Sequence, residues 1–198
     1  AQYPHSADDD KKNGIVEVKM KAVLLNGSPR EGNSYTALAA LKKGFTHIED
    51  LVIEEIAAGD VSVSPCLACE VCHDSGMCVF DDDTNEIMDD IVSADVIVFA
   101  TPVYWWGITA QLKLIIDKFY SRSSQLMECK KQVGIIAVGQ MPVEDTQYEL
   151  IRKQFECICG YLGWDIAFYN AYSAYDAGDL AENADAIAEI EELWKQIK

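Results

Sequence analysis

Three times in this chain an apolar run stops at a turn of small, aromatic or polar residues, and this recurrence limits the fold more than any other feature. In the first, Met20, Ala22, Val23, Leu24 and Leu25 fill most of positions 19–26 and run straight into Gly27-Ser28-Pro29-Arg30-Glu31-Gly32-Asn33-Ser34. In the second, Val96, Ile97, Val98, Phe99 and Ala100 end at Pro102-Val103-Tyr104-Trp105-Trp106-Gly107. In the third, residues 132–138 end at Gly139-Gln140-Met141-Pro142. A near-continuous apolar run, as opposed to an alternating one, is the pattern of a strand covered on both faces within a parallel sheet.

Between the runs the period changes to that of helices. Leu38, Leu41 and Phe45, with Gly44 near the end, predict a helix after the first turn. Ile87 and Ile91 predict another, started by Asp83 as cap and Glu86 reaching back to it. Ile108, Leu112, Ile115 and Phe119 follow the aromatic turn at helical spacing. Tyr148, Ile151, Phe155, Ile158 and Leu162 mark a long helix closed by Gly163, and Ile187, Ile190, Trp194 and Ile197 mark the last. Residues 51–56 and 164–169 complete a set of five strands alternating with five helices. That order predicts an α/β chain of the doubly wound kind: one parallel sheet between two layers of helices. Residues 1–18 are polar and aperiodic and are expected to form a mobile arm, leaving 19–198 as the folded domain.

The 198 residues suit one such domain, and 49% hydrophobic residues allow a sizeable core. Only 16 Lys and Arg face 33 Asp and Glu, a formal net charge of −17 that repels nucleic acid and anionic membrane. No apolar run approaches the roughly 20 residues that a membrane-spanning helix needs. Seven cysteines, an odd number without a secreted disulfide pattern, point to a reducing cytoplasm. The chain begins at Ala1, which leaves a removed leader open.

Four of those cysteines, Cys66, Cys69, Cys72 and Cys78, fall within thirteen residues as C-x2-C-x2-C-x5-C, inside a loop spanning 65–83. Thiolates this close suit a zinc ion or an iron–sulfur cluster, while a disulfide pair or free thiols are the bland alternatives. Cys159 lies on the core face of its helix and reads as structural, as do Cys157 and Cys129. His73 reads as a solvated loop histidine, and Lys113 with Asp117 as a helix-surface pair.

Ligands of doubly wound sheets bind outside the carboxyl ends of the strands. There the first turn offers the side chains of Ser28, Asn33 and Ser34, close backbone approach at Gly27 and Gly32, and a helix N-terminus. These are the parts of a phosphate site, to which Arg30 adds a charge. The turn matches neither the G-x-x-x-x-G-K-[ST] pattern nor G-x-G-x-x-G. Tyr104, Trp105 and Trp106 are too many large aromatics in one turn for all to be core, and they suit a flat heterocycle or an oligomer contact. A phosphate loop beside an aromatic wall predicts a mononucleotide with a planar head, and FMN fits that description.

The segments N-G-S-P-R-E-G-N-S (26–34), the cysteine loop followed by D-D-D, and T-P-V-Y-W-W-G-I-T-A-Q-L-K-L-I-I-D-K (101–118) resemble the flavodoxin-like NAD(P)H-dependent FMN reductase superfamily. Within it the chain is most similar to the iron–sulfur flavoproteins of anaerobes. That resemblance implies a five-stranded sheet in the order 2-1-3-4-5 and a homodimer or homotetramer. It implies that Ser28, Arg30, Asn33 and Ser34 hold the FMN phosphate. Pro102, Val103, Tyr104, Trp105, Trp106 and Gly107 would line the ribityl chain and ring, with Gly139 and Gln140 approaching from the next strand end. Cys66, Cys69, Cys72 and Cys78 would ligate a [4Fe–4S] cluster.

The function implied is electron transfer from NAD(P)H or a ferredoxin-type protein to a small-molecule or protein acceptor. A cluster-free flavin, quinone or azo reductase is the alternative within the class. A non-catalytic electron carrier or redox sensor, or a zinc-stabilised binding domain, lies outside it. No Ser–His–Asp, H-E-x-x-H or paired-carboxylate pattern argues for hydrolysis.

Overall fold

The computed structural model describes residues 20–198; the expected arm at 1–18 lies outside the described residues. The first strand, β1 (Met20–Asn26), leads to α1 (Asn33–Phe45) and β2 (Leu51–Ala57). The cysteine loop then holds a short helix, α2 (Val71–Ser75), before α3 (Thr84–Ser93) and β3 (Val96–Pro102). Next come α4 (Ala110–Asp117), a 3₁₀ turn (Lys118–Arg122), α5 (Ser123–Glu128) and β4 (Gln132–Gly139). The chain closes with α6 (Thr146–Leu162), β5 (Asp165–Ser173), α7 (Asp179–Glu182), α8 (Ala184–Glu191) and a 3₁₀ turn (Leu193–Gln196).

All five strands pair in parallel in the order β2-β1-β3-β4-β5, as expected. The order reverses at β1, so the carboxyl ends of β1 and β3 diverge to neighbouring loops there. Side chains alternate across the sheet and so separate two cores. Val23, Leu25, Ile97, Phe99 and Ile135 face α3, α4 and α6, where Phe99 packs on Phe155 with ring centroids 4.9 Å apart. Ala22, Leu24, Val96, Val98 and Ile136 face α1 and α8, meeting Leu38, Leu41, Phe45 and Ile190. Both faces of the central strands are buried, which is why they read as unbroken apolar runs.

Gly44 on α1 sits where a Cβ would lie 2.0 Å from the Glu191 carbonyl oxygen of α8, so its missing side chain sets how closely the two helices approach. Boundaries differ from the sequence reading in a few places. The last strand extends to Ser173, because the Asp165–Ser173 segment pairs with the whole of β4. The last helix breaks after Glu191 into a 3₁₀ turn, and Ile108 precedes α4, whose cap is Thr109. No helix among the described residues is long and apolar enough to cross a membrane.

Candidate functional site

The turn after β1 is held before any ligand enters. Gly27 N–H donates to the Ala100 carbonyl at 2.7 Å, and Thr109 Oγ donates to the Gly27 carbonyl at 2.6 Å. A Cβ on Gly27 would press on Leu112 at 3.0–3.1 Å and on the Ala100 oxygen at 3.2 Å, so a side chain there would have to push its neighbours aside. Ser28 Oγ bonds Arg30 on both sides, donating to its carbonyl at 2.7 Å and accepting from its N–H at 3.3 Å. The Asn33 side chain is also spent: Nδ2 donates to Asp176 O at 2.9 Å, and Oδ1 accepts from Gly178 and Leu180 N–H at 3.0 and 3.2 Å. It ties the segment after β5 to the start of α1. Of the four predicted phosphate side chains, Ser34 stands apart, 2% exposed with an Oγ that has no hydrogen-bond partner.

The first backbone bond of α1 runs from Thr36 N–H to Gly32 O at 3.0 Å, so the amides of Asn33, Ser34 and Tyr35 have no partner within the helix. Those amides and Ser34 Oγ are ready-made donors for an anion, favoured further by the helix dipole. Asn33 and Ser34 lie against a hollow of about 190 Å³. Ser28, Arg30, Gly32, Asn33 and Ser34 line one side of it, and Pro102, Val103 and Tyr104 another. Val138, Gly139 and Gln140 close it from β4, and Ala174 and Tyr175 close it from the segment after β5. The hollow therefore brings together nine of the twelve residues expected around FMN. Trp105, Trp106 and Gly107 lie outside its lining.

Those three form the tip of a tight turn. Tyr104 and Gly107 exchange both backbone hydrogen bonds, at 2.9 and 3.1 Å, with Trp105 and Trp106 between them at φ 48° and 59°. Left-handed backbone in both central positions is normally supplied by Asn and Gly, and two tryptophans there store roughly 1–2 kcal/mol each. Trp105 gains almost no burial in exchange, at 93% exposed, and Trp106 less than half, at 54%. Backbone strain of this kind clusters at active sites and ligand clamps. On the β4 side, the Tyr148 hydroxyl donates to Met141 O at 2.9 Å and fixes the turn that carries Gln140.

The cysteine loop curls through two left-handed residues, Ala68 (φ 52°) and Glu70 (φ 61°), on either side of Cys69. All four thiols consequently line one small hollow. Cys66 and Cys69 are exposed, while Cys72 and Cys78 are partly covered. Burial raises the Cys72 thiol above its ordinary value, and negative charge on Cys69, Cys78 and Cys66 adds to the rise. Asn85 clamps Cys78 with two 2.9 Å bonds: its Oδ1 accepts from the Cys78 N–H, and its Nδ2 donates to the Cys78 carbonyl. Among the described residues, no three His, Cys, Asp or Glu side chains converge to hold a single ion. A four-iron cluster asks for less, since each thiolate binds a different iron around its rim.

The acidic triplet works differently from the expectation. Asp83 caps α3 by position, but its carboxylate accepts from Ser62 N–H at 2.7 Å and makes no cap bond. Asp82 serves instead, accepting from Thr84 N–H at 3.0 Å and Ser64 N–H at 2.8 Å. Burial alone would raise the Asp82 carboxyl, but these bonds outweigh it and hold it at about 2. His73, read as free in solvent, pairs with the Tyr120 hydroxyl at 2.6 Å. Cys159 is buried and its thiol is pushed up to about 12 by desolvation, in keeping with a structural role. Lys113 and Asp117 form the expected pair.

Sequence reading missed Thr109, Asn85, Ala174 and Tyr175. Thr109 had a local signal, since Thr before an apolar helical stretch reads as a cap. The others reach the sites through contacts distant in sequence or through loops without a pattern.

With this geometry in view, comparison with known proteins is informative. A family model described as NADPH-dependent FMN reductase matches residues 20–153. An iron–sulfur flavoprotein of Methanocaldococcus jannaschii is 32% identical over 120 residues, covering 61% of this chain and 62% of that protein. One from Methanosarcina thermophila is 31% identical over 121 residues, covering 61% and 63%. The matches thus span about three fifths of those relatives' lengths. Among solved structures, an FMN-dependent NADH-azoreductase of Bacillus anthracis superposes with TM-score 0.68 at 14% identity, covering 90% of this chain and 99% of that one. That likeness bears on the fold.

Proposed function

We propose, for a chain that belongs to the NADPH-dependent FMN reductase family, that it is an FMN-dependent oxidoreductase. It takes electrons from NAD(P)H or a ferredoxin-type protein and passes them to a small-molecule or protein acceptor. The observation that carries this reading is the buried Ser34 Oγ, without a partner, beside the first amides of a helix whose residues Asn33 and Ser34 line the hollow. A dianionic phosphate monoester would satisfy all of these donors together. Bound FMN supplies a ring that accepts a hydride and releases electrons singly.

The protein's own work is then binding and orientation. Ser34 and the first amides of α1 would hold the phosphate, and Arg30, exposed at the rim, would neutralise part of its charge. Ser28 shapes the turn through its two bonds to Arg30, and Asn33 contributes its amide. Pro102, Val103 and Tyr104 would guide the ribityl chain, with Gly139 and Gln140 facing them. Trp105, Trp106 and Gly107 would offer a wall or cover to the ring.

Cys66, Cys69, Cys72 and Cys78 would hold a [4Fe–4S] cluster. That part of the reading is supported by four thiols around one hollow and by relatives named iron–sulfur flavoproteins. A cluster-free NAD(P)H-dependent reductase is the second reading, supported by the family model described as NADPH-dependent FMN reductase. We place the protein in the cytoplasm as a homodimer or homotetramer. The exposed aromatic turn supports the assembly, because aromatics favour subunit contacts.

An anaerobic absorbance spectrum with iron and acid-labile sulfide analysis tests both parts. Flavin bands with iron and sulfide are expected. Flavin alone would select the cluster-free reading, and failure to take up FMN even on reconstitution would remove the proposal.

A further inference from the structure

Among the described residues three cationic side chains are almost fully buried, and two of them have oxygen partners. Arg122 pairs with Asp89 at 2.7 Å. Lys131 donates to the carbonyls of Val92, in the last turn of α3, and Ala94, its C-cap, the ordinary way to satisfy a buried ammonium. Lys118 is 2% exposed, and among the described residues its one hydrogen-bond partner is a sulfur. Its Nζ lies 3.5 Å from Cys78 Sγ and 4.4 Å from the centre of the Phe80 ring. The neighbouring carboxylate, Asp117, is engaged by Lys113. Lys118 lines the same hollow as the four thiols.

A buried ammonium against one thiol and one ring is poorly compensated, because charge is rarely buried without an opposite charge or a full set of acceptors. An anionic sulfur centre in the hollow would supply what is missing. We propose that Lys118 is the counter-charge of that centre, donating to the Cys78 sulfur and stabilising the more negative, reduced state. It thereby sets the potential at which electrons move through the cysteine loop. This rests on the cluster reading above. The step it governs is the addition of one electron, from reduced flavin or a chemical reductant, to a thiolate-ligated iron–sulfur group. No bond forms or breaks, and the ammonium keeps its protons. A fixed positive charge and a hydrogen bond to a ligating sulfur both favour the added electron.

The test compares the wild-type chain with Lys118→Met and Lys118→Arg. Each is reconstituted anaerobically, assayed for iron and sulfide, checked for fold by circular dichroism, and titrated against solution potential with EPR detection. Arg keeps the charge, and Met keeps the apolar stem alone. We expect wild type and K118R to titrate together. K118M should show a reduced-to-oxidised ratio lower by about tenfold at fixed potential, a fall of about 59 mV for a one-electron couple. Loss of iron from folded K118M with retention in K118R also supports the charge. A fully loaded K118M with an unchanged potential overturns the inference, and so does equal loss of iron from both variants, which would point to packing. A wild-type chain that takes up neither iron nor sulfide overturns the cluster reading itself, leaving the FMN reading standing.

Discussion

Replacing Ser34 by alanine separates ligand binding from folding. The hydroxyl is buried without a partner, so S34A removes an unsatisfied group from the free protein and should leave its thermal midpoint unchanged or slightly raised. With the cofactor, a charge-assisted bond is lost, about 1.5–3 kcal/mol, so FMN affinity should fall by ten-fold or more in a fluorescence titration. Equal affinities would mean that the phosphate sits elsewhere. Asp82 offers a pH test at the same scale. Its folded value of about 2 lies below the ordinary 3.8, so it stabilises the fold above about pH 4 and loses that contribution as pH falls toward 2. Discounted for solvent screening, D82N should cost about 1 kcal/mol at pH 7 and nothing near pH 2, read from urea melts at the two pH values. Ser34 was among the expected phosphate side chains, but neither its lack of a partner nor the bonds of Asp82 were legible in the residues themselves. Asp83 and Ser28 had the better local patterns, but only the folded loop shows which oxygen each amide reaches.

Thr109 couples two elements, capping α4 at the Leu112 amide and holding the Gly27 carbonyl of the first turn. Thr109→Ala should cost about 2–3 kcal/mol, a cap plus an unpaired buried carbonyl, and weaken FMN binding by loosening the turn. Thr109→Ser should restore most of both. Chemical denaturation with and without FMN checks the pair. The aromatic turn predicts the opposite trade. Trp105→Asn with Trp106→Gly supplies the residues that left-handed turns prefer, so the free protein should gain roughly 1–2 kcal/mol. The same change removes both rings from the proposed flavin site and should reduce FMN affinity. A variant that gains stability and binds FMN as before would show the turn to be idle. The three strand–turn units were plain in the sequence because both faces of a central strand are buried. The short helices α2, α5 and α7 were not, since four to six residues carry too few apolar positions to set a period.

For the molecule as a whole, the charge of −17 sets a background of self-repulsion that screening relieves. Raising salt from ~10 mM to ~150 mM shortens the Debye length from about 30 Å to about 8 Å, and should raise the thermal midpoint by a few degrees. A flat response in differential scanning fluorimetry would mean that the acidic residues are already compensated locally. The sequence by itself determined the alternation of strands and helices, the doubly wound class, the polar turn after the first strand and the set of four clustered cysteines, because those depend on local period and on contiguous residues. Tertiary structure alone decided which donors stay unspent. It turned Asn33 inward to the segment after β5 and left Ser34 facing the hollow, and it set Lys118 against Cys78 forty positions away. Hydrogen-bond partners and buried charges are settled by what packing brings within about 3 Å, and no spacing along the chain encodes that distance.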